Sequence, residues 1–174
     1  LWANLVGCAL FGAAAFTDML DGKIARKYNL VTDFGKFLDP LADKFMVIGA
    51  LLVILYKVMG DGNVSKLFTN VFFWTVMIVI FRELAVTSIR LVVSGSAGIV
   101  VAANILGKIK TCVQIACVVI CILERAIYAA LPEAPAFASY LPASLVLSVL
   151  MLVFTLWSGI NYIASYWKYM DPEK

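Results

Sequence analysis

The sequence predicts an all-α protein, a polytopic bundle of transmembrane helices that forms one domain over residues 1–174. Two observations carry this prediction. Hydrophobic residues make up 63% of the 174 residues and charged residues only 14%, whereas soluble domains average about 45–50% and about 25%. The apolar residues also fall into runs of about 20, the length of helix that crosses the hydrocarbon core of a bilayer.

Five helices are predicted in chain order. The second ends at the turn sequence MGDGN, and the third closes at SGSAG. A proline-rich loop follows the fourth, and the fifth ends in tryptophans and tyrosines that are typical of a membrane interface. The predicted bounds are about Ala3–Arg26, Gly35–Val58, Lys66–Val93, Asn104–Ala129 and Ala143–Trp167.

The charged residues indicate an orientation and exclude one class of partner. Most of the 14 lysines and arginines lie on one side of the predicted membrane, and the other side holds Lys57, Lys66 and Arg125. The richer side, which includes the C-terminus, is therefore predicted to be cytoplasmic. A net charge of only +3, dispersed among apolar helices, argues against nucleic acid as a partner.

Four aspartates lie where the first two helices meet the cytoplasmic side. Asp18 and Asp21 share one face of the first helix, and Asp39 and Asp43 share one face of the second. The short loop makes these helices antiparallel neighbours, so the carboxylates can converge at one depth. Divalent cations would relieve the cost of four such charges near lipid.

The ligand chemistry predicts the type of metal. The chain contains no histidine, and oxygen ligands favour Mg²⁺ or Mn²⁺ over zinc. Four carboxylates suit a two-metal site with the ions about 3.5–4 Å apart. The alternative is that the aspartates pair with nearby basic residues or cap the second helix, and these basic residues are Lys23, Arg26, Lys36 and Lys44.

The pattern D18-x-x-D-G-x-x-A-R-x8-G-x3-D-x3-D43 resembles the signature of the CDP-alcohol phosphotransferases, with every fixed position filled. The resemblance implies that Asp18, Asp21 and Asp39 bind two metal ions, with Asp43 shared or nearby. It also implies that Asp43 is the base that activates an acceptor hydroxyl. The positions that match the cytidine nucleotide site are Asp18, Gly22, Ala25, Arg26 and Gly35.

Four cations at the cytoplasmic ends of the third and fourth helices predict an acceptor that carries its own phosphate. They are Arg82, Arg90, Lys108 and Lys110. The alternative is that they follow the positive-inside rule and extend their charged ends to the interface.

The stretches LDPLADK, FREL, SIR and GKIKT resemble the phosphatidylglycerophosphate synthase branch of this family. The resemblance implies transfer of a phosphatidyl group from CDP-diacylglycerol to sn-glycerol 3-phosphate, which gives phosphatidylglycerophosphate and CMP. It implies a homodimer in the bacterial cytoplasmic membrane, with the active site on the cytoplasmic side. Members usually have six helices, so the helix that precedes the aspartate helix is expected to be missing from this chain.

Two alternatives remain open at this point. The same chemistry could use another acceptor, as in cardiolipin synthases or phosphatidylinositol phosphate synthases. A different class is a divalent-cation transporter, which would need acidic residues along a path through both leaflets. On the far side of the membrane the sequence offers only Asp61, Glu124 and Glu133, at loop edges.

Overall fold

The computed structural model describes residues 6, 7, 9–14, 17, 20, 24, 28, 33–97, 105–131 and 135–166, and within 33–43 and 91–97 it describes the backbone alone. This part of the chain is helical and contains no strand, which confirms the predicted fold class. We call the helical residues before position 25 helix α1 (6, 7, 9–14, 17, 20 and 24). The later elements are α2 (Asp33–Met59), α3 (Lys66–Ala97), α4 (Ile105–Ala130), a 3₁₀ helix (Ala136–Tyr140) and α5 (Pro142–Tyr166).

The predicted bounds of α2 to α5 agree with the structure to within two residues, except for the end of α3. The predicted bounds of the first helix, Ala3 and Arg26, lie outside the described residues. Helix α3 does not stop at Val93 and continues through Ser94 and Gly95 to Ala97. A glycine within a helix costs only about 1 kcal/mol relative to alanine, so it does not by itself end one. The proline-rich loop before α5 also contains the short 3₁₀ helix, which ends at Leu141 with a left-handed φ of 44°.

Three stretches of the described chain are long and apolar enough to cross a membrane, judged by length and composition: Lys66–Arg90, Ile105–Ala130 and Ala136–Tyr166. Helix α2 has 27 residues but carries Asp39, Asp43 and Lys44 in its first half. Large apolar side chains such as Trp74, Phe81 and Ile160 point outward and are exposed. Such an apolar exterior suits contact with lipid.

The core lies where α2, α3, α4 and α5 pack together. Helix α5 packs against α3 and α4, and α2 packs against the same two helices. Leu51, Phe72 and Met151 are fully buried at the centre. The ring of Phe72 stacks on that of Phe68, with 5.5 Å between centroids.

Helix α5 turns a small and polar face toward its neighbours. Its buried residues are Ser144, Ser148, Met151, Thr155, Ser158, Gly159 and Tyr162. Small and hydroxylated residues let helices approach closely where lipid removes the usual hydrophobic driving force for their association. The close packing of α5 therefore brings its C-terminal half against the polar residues of α3.

Candidate active site

Glu83 on α3 lies at the centre of a group of cations from three helices. Its side chain is buried, and its Oε1 accepts hydrogen bonds from Lys110 Nζ on α4 and, at 3.2 Å, from Arg82 Nη1. Lys44 Nζ of α2 lies 4.0 Å from its other oxygen. A single carboxylate thus compensates part of the charge of three cations.

Arg82 is held from its other side by α5. Its Nη2 donates to Ser158 Oγ at 2.7 Å. Gly159 leaves room for the arginine, because a Cβ at that position would lie 3.2 Å from Arg82 Cγ. Arg82 Nε is buried without a hydrogen-bond partner in the described part of the chain. The guanidinium therefore keeps one donor that is not used there.

Lys44 connects this group to the aspartate-bearing part of α2. Its Nζ donates a hydrogen bond to Thr87 Oγ1, and Thr87 Oγ1 in turn donates to the backbone oxygen of Glu83 at 2.6 Å. Lys44 directly follows Asp43 in the chain. The turn of α2 that carries Asp43 consequently lies beside the cation group.

These residues border a cavity of about 460 Å³ between α2, α3, α4 and α5. Arg90 also lines it, with its guanidinium carbon 5.9 Å from the centre of the Tyr162 ring. The charged side chains described around the cavity are five cations and one carboxylate, namely Lys44, Arg82, Glu83, Arg90, Lys108 and Lys110. The excess of positive charge makes the cavity suitable for an anion.

A smaller cavity of about 160 Å³ shares Lys44, Glu83 and Lys110 with the larger one. Gln114 lines it, and its Nε2 is buried without a hydrogen-bond partner in the described part of the chain. The polar space therefore extends along α4 from the larger cavity toward the core.

The structure brings together all four cations predicted for the acceptor phosphate, since each lines the larger cavity. Helix α2 places Asp39 and Asp43 one turn apart, with Gly35 one turn earlier, and their side chains lie outside the described part. The other predicted site residues, Asp18, Asp21, Gly22, Ala25 and Arg26, lie outside the described residues. Their roles stay predictions.

Sequence reasoning missed several residues of the cavity wall. It assigned no role to Lys44 there, to Glu83, or to Ser158 and Tyr162 of α5. A signal was present for α5, where serine and threonine recur at helical spacing within an otherwise apolar run. Glu83 directly follows Arg82 and lies about two helical turns before Arg90 on a transmembrane helix, which indicates a buried ion pair.

The other end of the bundle holds a second buried carboxylate. Glu124 on α4 accepts hydrogen bonds from the backbone N–H groups of Ala143 at 3.1 Å and Ser144 at 2.8 Å. Tyr128 donates to the same carboxylate at 3.4 Å. Nearby, Arg125 donates to Asp61 at 2.9 Å. Glu124 thus caps the start of α5, where free N–H groups need an acceptor.

Comparison with known proteins identifies the family. The sequence model of the CDP-alcohol phosphatidyltransferases matches residues 2–166. The chain belongs to this family. Members are generally dependent on a divalent metal.

Relatives in the family have names that state their reactions. A Bacillus subtilis protein, a CDP-diacylglycerol–glycerol-3-phosphate 3-phosphatidyltransferase, is 43% identical over 95% of this chain and 76% of its own length. An Arabidopsis thaliana protein of the same name, numbered 2, is 33% identical over 96% of this chain and 69% of its own length. A cardiolipin synthase (CMP-forming) from Oryza sativa is 33% identical over 96% of this chain and 50% of its own length.

Proposed function

We propose that this protein transfers a phosphatidyl group from CDP-diacylglycerol to a hydroxyl of sn-glycerol 3-phosphate and releases CMP. The observation that carries the proposal is the cation-lined cavity beside the turn of α2 that bears Asp43. The names of the Bacillus subtilis and Arabidopsis thaliana relatives support this choice of substrates. The product is phosphatidylglycerophosphate, a step of phospholipid biosynthesis.

The four aspartates suit a site for two Mg²⁺ or Mn²⁺ ions. Asp39 and Asp43 lie one turn apart on the regular backbone of α2, so they share a face of that helix. Asp18 and Asp21 would complete the ligand set from the preceding helix. An oxygen-only donor set fits these hard cations. When bound, the metal would supply positive charge that stabilises the negative charge on the departing CMP.

The residues of this chain divide the remaining work. Asp43 takes the proton from the acceptor hydroxyl, whose oxygen forms a bond to the lipid-linked phosphorus. The bond from that phosphorus to the CMP oxygen breaks, and CMP leaves with the electron pair. Gly22 and Ala25 would leave room for the cytidine, with Asp18 and Gly35 at the same site, and Arg26 would offer donors to the nucleotide phosphates.

The cavity supplies the second half of the site. Arg82, Arg90, Lys108 and Lys110 would hold the phosphate of the acceptor and leave its hydroxyl free to reach Asp43. A volume of about 460 Å³ lies within the range of about 300–1,000 Å³ that is usual for small-molecule sites. Holding the acceptor at both ends would convert a collision between two substrates into a reaction within one complex.

The location follows from the same arrangement. The ends of α2, α3, α4 and α5 that meet at the cavity are the lysine- and arginine-rich ends, which we place on the cytoplasmic side of a bacterial membrane. Glycerol 3-phosphate, a charged and water-soluble molecule, would reach the cavity from there. We also propose a homodimer, as is usual in the family.

A second candidate is the same transfer with phosphatidylglycerol as acceptor. The similarity to the Oryza sativa cardiolipin synthase favours this alternative. Phosphatidylglycerol also carries a phosphate that the cavity cations could bind. A phosphatidylglycerol acceptor would have to enter from the bilayer, whereas glycerol 3-phosphate would enter from water.

The decisive experiment uses the purified full-length protein in detergent with CDP-diacylglycerol and Mg²⁺. CMP release is measured with glycerol 3-phosphate, phosphatidylglycerol or myo-inositol phosphate as the acceptor. We expect release with glycerol 3-phosphate and its loss in Asp43→Asn. The matched control is Asp61→Asn, which changes an aspartate at the far end of the bundle and should keep the activity.

The alternative outcomes are distinct. Release with phosphatidylglycerol alone would assign the protein to the cardiolipin-forming branch. Equal activity of Asp43→Asn and the unmodified protein would exclude Asp43 as the base. No release with any acceptor would contradict the proposed transfer itself.

A further inference from the structure

We propose that Glu83 is a positioning residue for the acceptor's phosphate. It holds cations from three helices in fixed places, and these cations bind the phosphate. The inference rests on the proposed function, because it assigns the cavity to that phosphate. Glu83 has no direct part in the transfer itself. Its task is to organise Lys44, Arg82 and Lys110 before the acceptor arrives.

The first argument comes from Lys110. This lysine is only 4% exposed, and the carboxylate that its ammonium contacts is that of Glu83. A buried charge that loses its partner is costly, so the ammonium would turn away from the cavity wall without Glu83. Lys110 therefore depends on Glu83 for its position at the cavity wall.

The second argument is a division among the cations. Lys44, Arg82 and Lys110 lie within 4.0 Å of Glu83. Arg90 and Lys108 line the same cavity and lie within that distance of no carboxylate whose side chain the structure describes. Within the described side chains, the cavity thus combines cations that Glu83 holds in position with cations that no carboxylate compensates. The first group defines where a phosphate sits, and the second attracts it.

The third argument links the cavity to the aspartates. Glu83 contacts Lys44, which follows Asp43, and Thr87 joins the backbone of Glu83 to the same lysine. The network therefore ties α3 to the turn of α2 that carries the proposed base. Glu83 would fix the distance between the bound phosphate and the base as well as the phosphate site itself.

The test compares Glu83→Gln with Glu124→Gln in the full-length protein. Both change a buried glutamate into its neutral isostere, but only Glu83 faces the cavity. In Glu83→Gln we expect the KM for glycerol 3-phosphate to rise about 10- to 100-fold, as for the loss of a charge-assisted hydrogen bond. The KM for CDP-diacylglycerol should change less than about threefold, and kcat should fall less than the KM rises. Glu124→Gln should leave both KM values unchanged.

Inorganic phosphate provides a second readout that does not need turnover. It should raise the thermal unfolding temperature of the unmodified protein, and Glu83→Gln should need at least about tenfold more phosphate for the same shift. If the unmodified protein shows this shift but releases no CMP with glycerol 3-phosphate, the proposed function fails and this measurement still tests Glu83.

Two results would overturn the inference. The first is a KM for glycerol 3-phosphate that stays the same or falls in Glu83→Gln, with phosphate bound equally or more tightly. Glu83 would then be a competing anion or a purely structural group. The second concerns Glu83→Asp, which keeps the carboxylate and serves if the glutamine variant does not fold. The KM of Glu83→Asp for glycerol 3-phosphate should lie between those of the unmodified protein and Glu83→Gln. If Glu83→Gln does not fold, the KM of Glu83→Asp should still exceed that of the unmodified protein. A KM and a phosphate affinity that both stay unchanged in Glu83→Asp would exclude a positioning role.

Discussion

The bundle contains two glutamates of nearly equal burial, 6% exposed for Glu83 and 7% for Glu124, and their surroundings differ completely. Glu83 is contacted by the side chains of Lys44, Arg82 and Lys110 beside a cavity. Glu124 is contacted by backbone N–H groups and hydroxyls at the start of α5. Burial alone therefore does not distinguish a carboxylate beside a cation-lined cavity from one that caps a helix.

The partners make the distinction. Backbone N–H groups cannot move without moving the helix, so the hydrogen bonds of Glu124 serve to stabilise the fold. Lysine and arginine side chains beside an open cavity can also contact a ligand, so the group around Glu83 retains capacity for binding. We expect substitutions around Glu83 to change kinetics and those around Glu124 to change stability.

The same comparison bears on the ion-transport alternative. A transport path would need free acidic groups in the far half of the bundle. Among the described side chains there, Asp61 pairs with Arg125, and Glu124 is used as a cap. Both acids have structural partners, which favours a one-sided site over a path through the membrane.

The largest expected effect is the loss of catalysis on substitution of Asp43 at the cavity end, without a loss of stability. Asp43→Asn should lower kcat by about 10²- to 10⁴-fold, since it removes a general base, and should leave the unfolding temperature nearly unchanged. Initial rates of CMP release and a thermal melt of the same preparation measure both quantities. A loss of activity that merely parallels a loss of folded protein would contradict the assignment.

The second-largest effect is expected for Glu124, at the end of the bundle opposite the cavity, and it should change stability but not kinetics. Glu124→Ala leaves the N–H groups of Ala143 and Ser144 without their acceptor, so the free energy of unfolding should fall by about 1.5–3 kcal/mol. Unfolding of the purified protein by denaturant measures the loss. Ser165→Ala, an exposed position on α5, is the control. A raised KM for the acceptor would show that the two ends are not independent.

Arg90→Gln sharpens the comparison within the cavity itself. Arg90 contacts the ring of Tyr162 and adds positive charge to the cavity wall, so its loss should raise the KM for glycerol 3-phosphate about tenfold. Steady-state kinetics with varied acceptor measures this change. Lys57→Gln removes a cation from the opposite end of α2 and should leave that KM unchanged. Equal effects of the two variants would point to overall charge instead of a local contact.

The smallest expected effect concerns the support of Arg82. Gly159→Ala places a Cβ 3.2 Å from Arg82 Cγ, so the arginine has to shift by a few tenths of an ångström. Because small displacements in a site lower its efficiency, the KM for the acceptor should rise about two- to fivefold. Gly49→Ala, where the space around a Cβ is open, is the control. An unchanged KM would mean that Arg82 is not held by this contact.

The helices could be predicted because long apolar runs carry their own signal along the chain. The membership of four cations in one cavity could also be predicted, since all were expected at the ends of neighbouring helices at one depth. The hydrogen-bond partners of these cations within that cavity could not be predicted from the sequence. Lys110 and Glu83 are 27 positions apart, and Arg82 and Ser158 are 76 apart. Such pairs depend on how the helices pack.

Helix α5 shows the same limit from another side. Its serines lie among apolar residues, and a serine in a membrane helix has similar sequence surroundings whether it faces lipid or protein. Only the packing against α3 and α4 shows that Ser144, Ser148 and Ser158 are buried. The continuation of α3 past Gly95 is a related case, because a local turn signal was outweighed by the rest of the helix.

Helix α5 also fixes the distance between two of its contacts with the rest of the bundle. Ser144 meets Glu124 at one end and Ser158 meets Arg82 at the other, 14 residues later, which corresponds to about 21 Å of helix. A residue inserted between Val149 and Phe154 would leave the hydropathy of the helix almost unchanged. It would rotate one contact by about 100° relative to the other, so both could not form at once. The segment between Ser144 and Ser158 thus acts as a spacer. Its number of residues, more than their identity, allows the contacts with Glu124 and Arg82 to form together.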